Sequence, residues 1–586
     1  MKVILATLNS KFIHSNLAIR YLKEYVKDIH PVEIMEFTIN QTIDSITSEL
    51  YKNQPDILGF STYIWNVEET LEICRIIKMV SPNTKIILGG PEVSFNGKDI
   101  LLENSFIDYL IYGEGEVTLK ELLSFKQLEE INGLIYRDDT NKVVVNGPRE
   151  LIPNLDSIPS PYENIGDEFA NKIVYYESSR GCPFNCEFCL SSTIKGVRYF
   201  SLDRVKTDIT RLIKGGVSQV KFVDRTFNAN KNYSMEIMKY IMHLDPIDIN
   251  FHFEVTAHLI DDETLEFLKQ PKEGLFQFEV GVQSTNQETI NAIGRVTDFN
   301  KLKDITSKIR SYKNIHQHLD LIAGLPYEDY NSFKCSFNDV YSIRPEKLQL
   351  GFLKLLKGSG LRINENKYGY KYLDKPPYEV LESNYINYGD IIKLKEIEDL
   401  VDKYYNEGYF KHSIEFIIKN FFSTPFDFYE DFSTYWEENQ LSKLSHSRNG
   451  LYQILLDYYL SRKLNYDDDF KEILKFDYIF NNKKLTLPNG IYRSPNNLNQ
   501  NELHDLLKDE ELKQKYLMDY ENIPTKKLIN KVIVEAFSRD VFKIINNNYK
   551  PINDSEVRFI LFNYRDLAIN RCETNDITEI VKELIS

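Results

Sequence analysis

Three cysteines fall within eight residues, in the run Cys182-Pro183-Phe184-Asn185-Cys186-Glu187-Phe188-Cys189. This C-x3-C-x2-C spacing constrains the chain more than any other feature. Soft thiolates select zinc or iron–sulfur, and structural zinc takes four ligands, usually as two separated pairs. Three thiolates on one loop supply three corners of a [4Fe–4S] cube and leave one iron open to a further ligand. The other cysteines, Cys74, Cys335 and Cys572, lie far away in sequence and are expected to be small buried hydrophobes. Six cysteines in 586 residues are too few for a disulfide scaffold, so a cytoplasmic location is expected.

Charge and hydropathy narrow the field further. The formal net charge is −16. Lys371 to Ser586 carry 29 basic and 37 acidic residues, so half of the acidic excess lies there and the acidity is diffuse. No strongly basic module of the kind that grips nucleic acid is present. No apolar stretch of about 18 residues occurs, so no membrane helix is expected. The start, MKVILATLNSKF, turns polar early and lacks a small-residue cleavage site, unlike a signal peptide.

Hydrophobic periodicity divides the chain into four parts. In residues 1–125 the strands KVILATL, VEIMEF, DILGFST, KIILGG and YLIYGEG alternate with helical segments such as VEETLEICRIIKMV. Glycines at the strand ends suit an α/β, doubly wound (Rossmann-like) parallel sheet. Residues 126–172 are expected to be a linker with a hairpin. Residues 173–369 hold six further strands separated by helical patterns, from KIVYYESSRG to EKLQLGFLK, as a partial (β/α)6 barrel. Residues 370–586 turn helical and aromatic, long enough for a mostly helical C-terminal domain. Its run IEFIIKNFFSTPFDFYEDF is expected to pack a core rather than stack a planar ligand.

The segment RGCPFNCEFC after the first strand of this β/α series resembles the radical S-adenosylmethionine (SAM) superfamily. The resemblance implies that Cys182, Cys186 and Cys189 hold a [4Fe–4S] cluster and that SAM chelates its open iron. It further implies SAM contacts from Phe188, Asp224, Glu254, Glu279, Gln283, Arg295 and Gly324. Asp224 lies in Asp-Arg-Thr-Phe where Gly-Gly-Glu is commoner. Arg295 suits the methionine carboxylate because its planar fork pairs bidentately.

LGGPEV and YGEGEVTLKELL, ahead of such a core, are similar to the segments that line the cobalamin tail in cobalamin-binding radical SAM enzymes. The contacts carried over are Ser10, His14, Ser61, Thr62, Tyr63, Trp65, Gly89, Gly90, Pro91, Glu92, Gly113, Glu114, Gly115 and Glu116. The D-x-H-x-x-G motif that supplies a histidine to cobalt is absent. Asp28-Ile29-His30 imitates its first half, but Glu33 stands at the glycine position. Cobalamin is therefore expected base-off with no protein histidine on cobalt; His14, in the loop after the first strand, is expected to make a loop hydrogen bond or touch the corrin rim. NSKFIHSNLAIRYL, LQLGFLKLLKGSGLR and YEVLESNYINYGDIIKLKEIEDLVDKYYN extend the resemblance to one such family with a C-terminal domain of unknown function.

The resemblance implies methyl transfer from methylcobalamin to an unactivated carbon, after a 5′-deoxyadenosyl radical removes a hydrogen atom. The substrate is left open among a small molecule, a peptide and a modified tRNA nucleoside. Alternatives are a non-methylating radical rearrangement or oxidation, and a cobalamin or redox sensor. The implied partner is an electron donor such as flavodoxin or ferredoxin, and a monomer is expected. No catalytic side chain can be singled out.

Overall fold

Short apolar runs broken by polar turns form β1 (Val3–Asn9), β2 (Val32–Thr38), β3 (Ile57–Ser61), β4 (Lys85–Gly89) and β5 (Tyr109–Ile111). They pair in parallel in the order β2-β1-β3-β4-β5. Alternation sends Val3 and Leu5 to one face, against Ile19 and Leu119. Ile4, Ala6 and Leu8 pack on the other with Ile73 and Ile77. Both faces are covered by helices, which is why these strands read as continuous apolar runs. Strand order reverses between β1 and β3, and in such sheets the ligand crevice opens at the carboxyl ends beside that reversal.

This computed structural model describes residues 1–483, 486–520, 523–552, 556–566 and 571–585. It divides into two compact units, Met1–Pro345 with Gln349–Ile391, and Glu346–Leu348 with Ile392–Ser586. The hairpin in the expected linker is part of the first sheet. β6 (Leu134–Arg137) and β7 (Val143–Val145) add antiparallel to β5, covering an edge that the three-residue β5 would otherwise leave open.

The second β/α series begins at β8 (Ile173–Tyr176). A two-stranded ribbon, β9 (Ser179–Cys182) and β10 (Gly196–Tyr199), follows, and its connection carries the cysteine loop. β11 (Gln219–Phe222), β12 (Asn250–Glu254), β13 (Phe276–Gln283), β14 (His316–Ala323) and β15 (Lys347–Phe352) complete a six-stranded sheet ordered β15-β14-β13-β12-β11-β8. The pairs from β8 to β14 run parallel. Val220, Phe251, Phe253, Phe276 and Phe278 are fully buried. The alternate residues Lys221, His252, Gln277 and Glu279 meet one another across the opposite, polar face.

Residues 370–391, read from sequence as the start of the helical domain, lie in the first unit. There a strand pair, Lys371–Tyr372 and Val380–Glu382, follows the barrel. The second unit is mainly helical, with Lys411–Phe421, Pro425–Glu438, Arg448–Ser461 and Asp467–Asn481 as its longer helices. It also holds a three-stranded antiparallel sheet, Val532–Phe537, Arg558–Asp566 and Arg571–Asp576. Phe416, Phe426, Phe428, Tyr429 and Phe432 are buried, so the aromatic run serves as core. Among the described residues no helix is long and apolar enough to cross a membrane.

Candidate functional site

The cysteine loop is gripped from two sides. Cys182 closes β9, and its sulfur lies 3.7 Å from the Thr226 hydroxyl. The Glu187 amide donates to the Ile293 carbonyl at 2.9 Å, and the Leu361 amide donates to the Glu187 carbonyl at 2.9 Å. Gly294 needs to be glycine: its φ is +67°, and a Cβ would stand 2.9 Å from the Asn185 carbonyl oxygen. Gly360 likewise leaves room for Glu187. The three thiols are unbridged, with Cys186 buried and the other two half-buried. Such a donor set, three soft sulfurs on one loop, fits the chemistry of an iron–sulfur cluster. Of the other cysteines, Cys74 is buried as expected, whereas Cys335 is exposed on the outer face of a helix.

Asp224 and Glu279, both expected to reach SAM, have partners within the protein. Asp224 is buried and accepts from the Ser178 amide at 2.9 Å and from the Ser178 and Ser179 hydroxyls at 2.7 and 2.5 Å. It thereby holds the backbone that enters β9. Glu279 pairs with Lys221 at 3.0 Å and His252 at 2.9 Å. Burial raises its carboxyl, but His252 and Lys221 outweigh this and hold it down at about 2. Both carboxylates look functional in sequence because a strand-end acid reads the same whether it faces a ligand or a lysine.

Burial raises the Glu254 carboxyl, opposed first by Arg225, which is exposed beside the buried Asp224. Arg225 was not singled out by sequence. Gln283 ends β13 at φ +70°, folded back so closely that a Cβ on Gly281 would meet its Nε2. Its Oε1 is buried without a hydrogen-bond partner among the described residues. A strained backbone and an orphaned acceptor together mark a residue held for a ligand, and they make this strand end fit SAM. Gly324 (φ +91°) turns β14 outward, its carbonyl held by the Tyr370 hydroxyl at 3.1 Å. Phe188 packs beside Leu325, Leu353 and Leu361.

Behind Gln283, the Ser284 hydroxyl donates to buried Glu328 at 2.5 Å and the Ser336 hydroxyl does so at 2.9 Å, both to Oε1. Burial pushes the Glu328 carboxyl up to about 7, against the pull of both serines. A raised folded-state value means that stability is fully present below the unfolded value of about 4.3 and falls as pH rises through 7. Glu328→Gln is therefore expected to be more stable than the parent at pH 8, by up to about 3 kcal/mol, and no more stable at pH 4.5. Thermal unfolding at the two pH values measures this; equal differences at both would contradict it.

At the carboxyl edge of the first sheet, Gly90 (φ +113°) passes so close to β3 that a Cβ would sit 2.4 Å from the Thr62 carbonyl oxygen. Ser61 and Thr62 turn their hydroxyls inward, to Thr7 at 2.8 Å and to the Gly89 carbonyl at 2.7 Å. Ser10 is half-buried in the loop after β1, and Pro91 opens a short helix. Gly113 (φ +76°) has open space where a Cβ would be, and Gly115 packs near Leu22. Tyr63 and Trp65 stack at 4.4 Å. Phe12, Trp65 and Phe95, on the loops after β1, β3 and β4, are 70%, 42% and 44% exposed. Three exposed aromatics around a glycine-lined edge fit a bulky, largely apolar disc such as a corrin.

The acids on this edge pair with residues of the barrel. Arg180, two residues before Cys182, reaches Glu114 at 3.2 Å, Glu116 at 2.6 Å and Glu177 at 2.8 Å. Arg198, its cross-strand partner on β10, reaches Glu114 at 2.7 Å. Burial raises the Glu114 carboxyl, but Arg198, the Ile152 amide and Arg180 outweigh it and leave it low. Glu92 takes Lys357 at 2.7 Å and the Tyr378 hydroxyl. The loop after β1 is laced to β8 as well: the Ile173 amide donates to the Ile13 carbonyl at 2.7 Å, and Tyr175 is hydrogen-bonded to His14 Nδ1 at 2.6 Å. Burial, then Lys11 and Lys221, lower the His14 imidazole. Thus Glu92, Glu114 and Glu116 are ties between the sheet and the barrel, and one His14 nitrogen faces Tyr175.

Family models match the chain at three places: a B12 binding domain at residues 2–123, the radical SAM superfamily at residues 176–340, and a protein of unknown function, DUF4080, at residues 366–562. The chain thus carries a B12 binding domain, a radical SAM domain and a DUF4080 segment, in that order. The first of these domains implies cobalamin, and the second a [4Fe–4S] cluster with SAM. The chain is 28% identical over 325 residues to the uncharacterized methyltransferase PH0819 of Pyrococcus horikoshii, covering 53% of this chain and 70% of that one. It is 25% identical over 356 residues to the cobalamin-dependent radical SAM methyltransferase TokK of Streptomyces tokunonensis, covering 56% and 51%. The match thus takes in about half the length of TokK. Among solved structures, TsrM from Kitasatospora setae with cobalamin and [4Fe–4S] cluster bound aligns with TM-score 0.55 and 16% identity over 65% of this chain and 82% of that one. OxsB with aqua-cobalamin bound aligns with TM-score 0.57 and 15% identity over 84% and 82%. At that identity the likeness is one of fold.

Proposed function

We propose that this protein is a cobalamin-dependent radical SAM methyltransferase that moves a methyl group to an unactivated carbon. When bound, the cluster supplies an electron to SAM and cobalamin supplies the methyl group. The protein's share is position. The observation that carries the reading is the set of ties from Glu92, Glu114, Glu116 and His14 to the barrel. They set the carboxyl edge of the first sheet against the strand that ends in Cys182, so the two cofactor sites share one crevice. Arg180 and Arg198 fix the β9–β10 ribbon on the turn after β5, and Lys357 fixes the turn after β15 on the turn after β4. Gln283 and Glu254 keep polar atoms available for SAM, and Cys182, Cys186 and Cys189 hold the cluster. Tight geometry matters because a misplacement of about 1 Å costs about 10²-fold in rate.

The substrate is a small molecule, a peptide or a modified tRNA nucleoside, and the protein acts as a cytoplasmic monomer reduced by flavodoxin or ferredoxin. Incubating the reduced, reconstituted protein with methyl-labelled SAM and extract from a deletion strain tests the reaction. Label appearing in a product supports it, whereas deoxyadenosine formed without transferred label overturns it in favour of rearrangement. The cob(II)alamin form is expected to show no nitrogen superhyperfine splitting in its paramagnetic resonance spectrum, because the D-x-H-x-x-G motif that supplies a histidine to cobalt is absent from the sequence. Splitting would contradict that axial arrangement.

A further inference from the structure

Arg295 was expected to meet the carboxylate of SAM, but its guanidinium is laid against the cysteine loop. Nη1 is 3.8 Å from Cys186 Sγ, within reach of a hydrogen bond to sulfur. Nη2 donates to the Gly281 carbonyl at 2.5 Å, and Nε to the Thr297 hydroxyl at 3.2 Å. The fork is thus oriented by two oxygens, with the remaining arm on the most buried of the three sulfurs. The same short segment holds the loop through Ile293 and Gly294, so the arginine and the sulfur are fixed to one frame.

We infer that Arg295 tunes the electron affinity of the iron–sulfur cluster through Cys186, rather than serving as a SAM ligand. Hydrogen bonds to cluster sulfurs and nearby cationic charge set reduction potentials. Reduction adds one electron to the cluster and moves no proton, since guanidinium stays protonated throughout. A fixed positive charge beside Cys186 stabilises the added negative charge, so it raises the potential and eases reduction by a weak physiological donor. The inference rests on the reading of Cys186 as a cluster ligand.

The test is a redox titration of the anaerobically reconstituted full-length protein, without SAM, following the resonance of the reduced cluster. Arg295→Met is expected to shift the midpoint to more negative potential at unchanged iron and sulfide content. Arg295→Lys, which keeps the charge and loses the fork, is expected to shift it part of the way. Should Arg295→Met fail to load a cluster, the Arg295→Lys titration decides. A loaded variant with the wild-type midpoint overturns the inference. So does a wild-type midpoint combined with loss of the SAM-induced change in the spectrum, which would return Arg295 to the SAM carboxylate. Absence of iron and sulfide from the wild-type protein would instead overturn the reading of the loop itself.

Discussion

Arg180→Met is expected to destabilise the first unit by about 3–5 kcal/mol, the range for removing one partner from a buried ionic cluster. The side chains of Arg180, Glu114, Glu116 and Glu177 are 14%, 10%, 6% and 13% exposed. Without Arg180, three carboxylates meet across this joint, and Arg198 pairs with Glu114 among them. Methionine keeps most of the buried stem, so the loss reports the charge rather than a cavity. Transfer of labelled methyl should fall about 10²-fold because the ribbon carrying Cys182 is no longer fixed to the turn after β5. Arg180→Lys should recover charge without the fork that spans three carboxylates, and so recover part of the stability. Thermal unfolding and labelled-methyl transfer measure the two effects. A variant as stable and as active as the parent would show that the joint does not matter.

Cys186→Ala is expected to abolish the cluster, and with it SAM cleavage. Two thiols cannot hold a cube that three were placed to hold, and Cys186 is the one enclosed by the loop. The violet charge-transfer absorbance and the iron content of reconstituted protein should both vanish, while far-ultraviolet circular dichroism stays unchanged. Cys335→Ala is the control. Cys335 lies exposed on the helix Tyr330–Tyr341, so its loss should leave iron content and absorbance at the parent's level. Equal iron in Cys186→Ala and the parent would remove this cysteine from the ligand set.

The sequence made the strands and the cysteine loop legible for a physical reason. Parallel strands covered on both faces write continuous apolar runs, as in KVILATL and KIILGG, and a loop of three thiols has few other uses. The joint was less legible. Glu114 and Glu116 stand on a turn and Arg180 lies 64 and more residues later. An acid on a glycine turn looks the same facing a cofactor or facing an arginine, and pairing over such a separation leaves no periodic trace. The partners of Asp224 and Glu279 were hidden in the same way, Ser178 lying in the turn before β9 and Lys221 on β11. Gln283 was named from its place on β13; its positive φ and orphaned oxygen emerge only once the chain folds. The hairpin β6–β7 read as a linker because strands of four and three residues carry too little pattern to show which edge they cover.

The proximity of the two cofactors is the claim on which the account rests, and pulsed paramagnetic resonance measures it directly. Protein reconstituted with cobalamin and iron–sulfur would be poised so that cob(II)alamin and the one-electron-reduced cluster coexist in the same frozen molecule. The ties through Arg180, Arg198 and Lys357 predict a resolved dipolar interaction between the two spins, diminished in Arg180→Met. Two spins that relax and resonate as if the other were absent, in protein carrying a full complement of both cofactors, would contradict it.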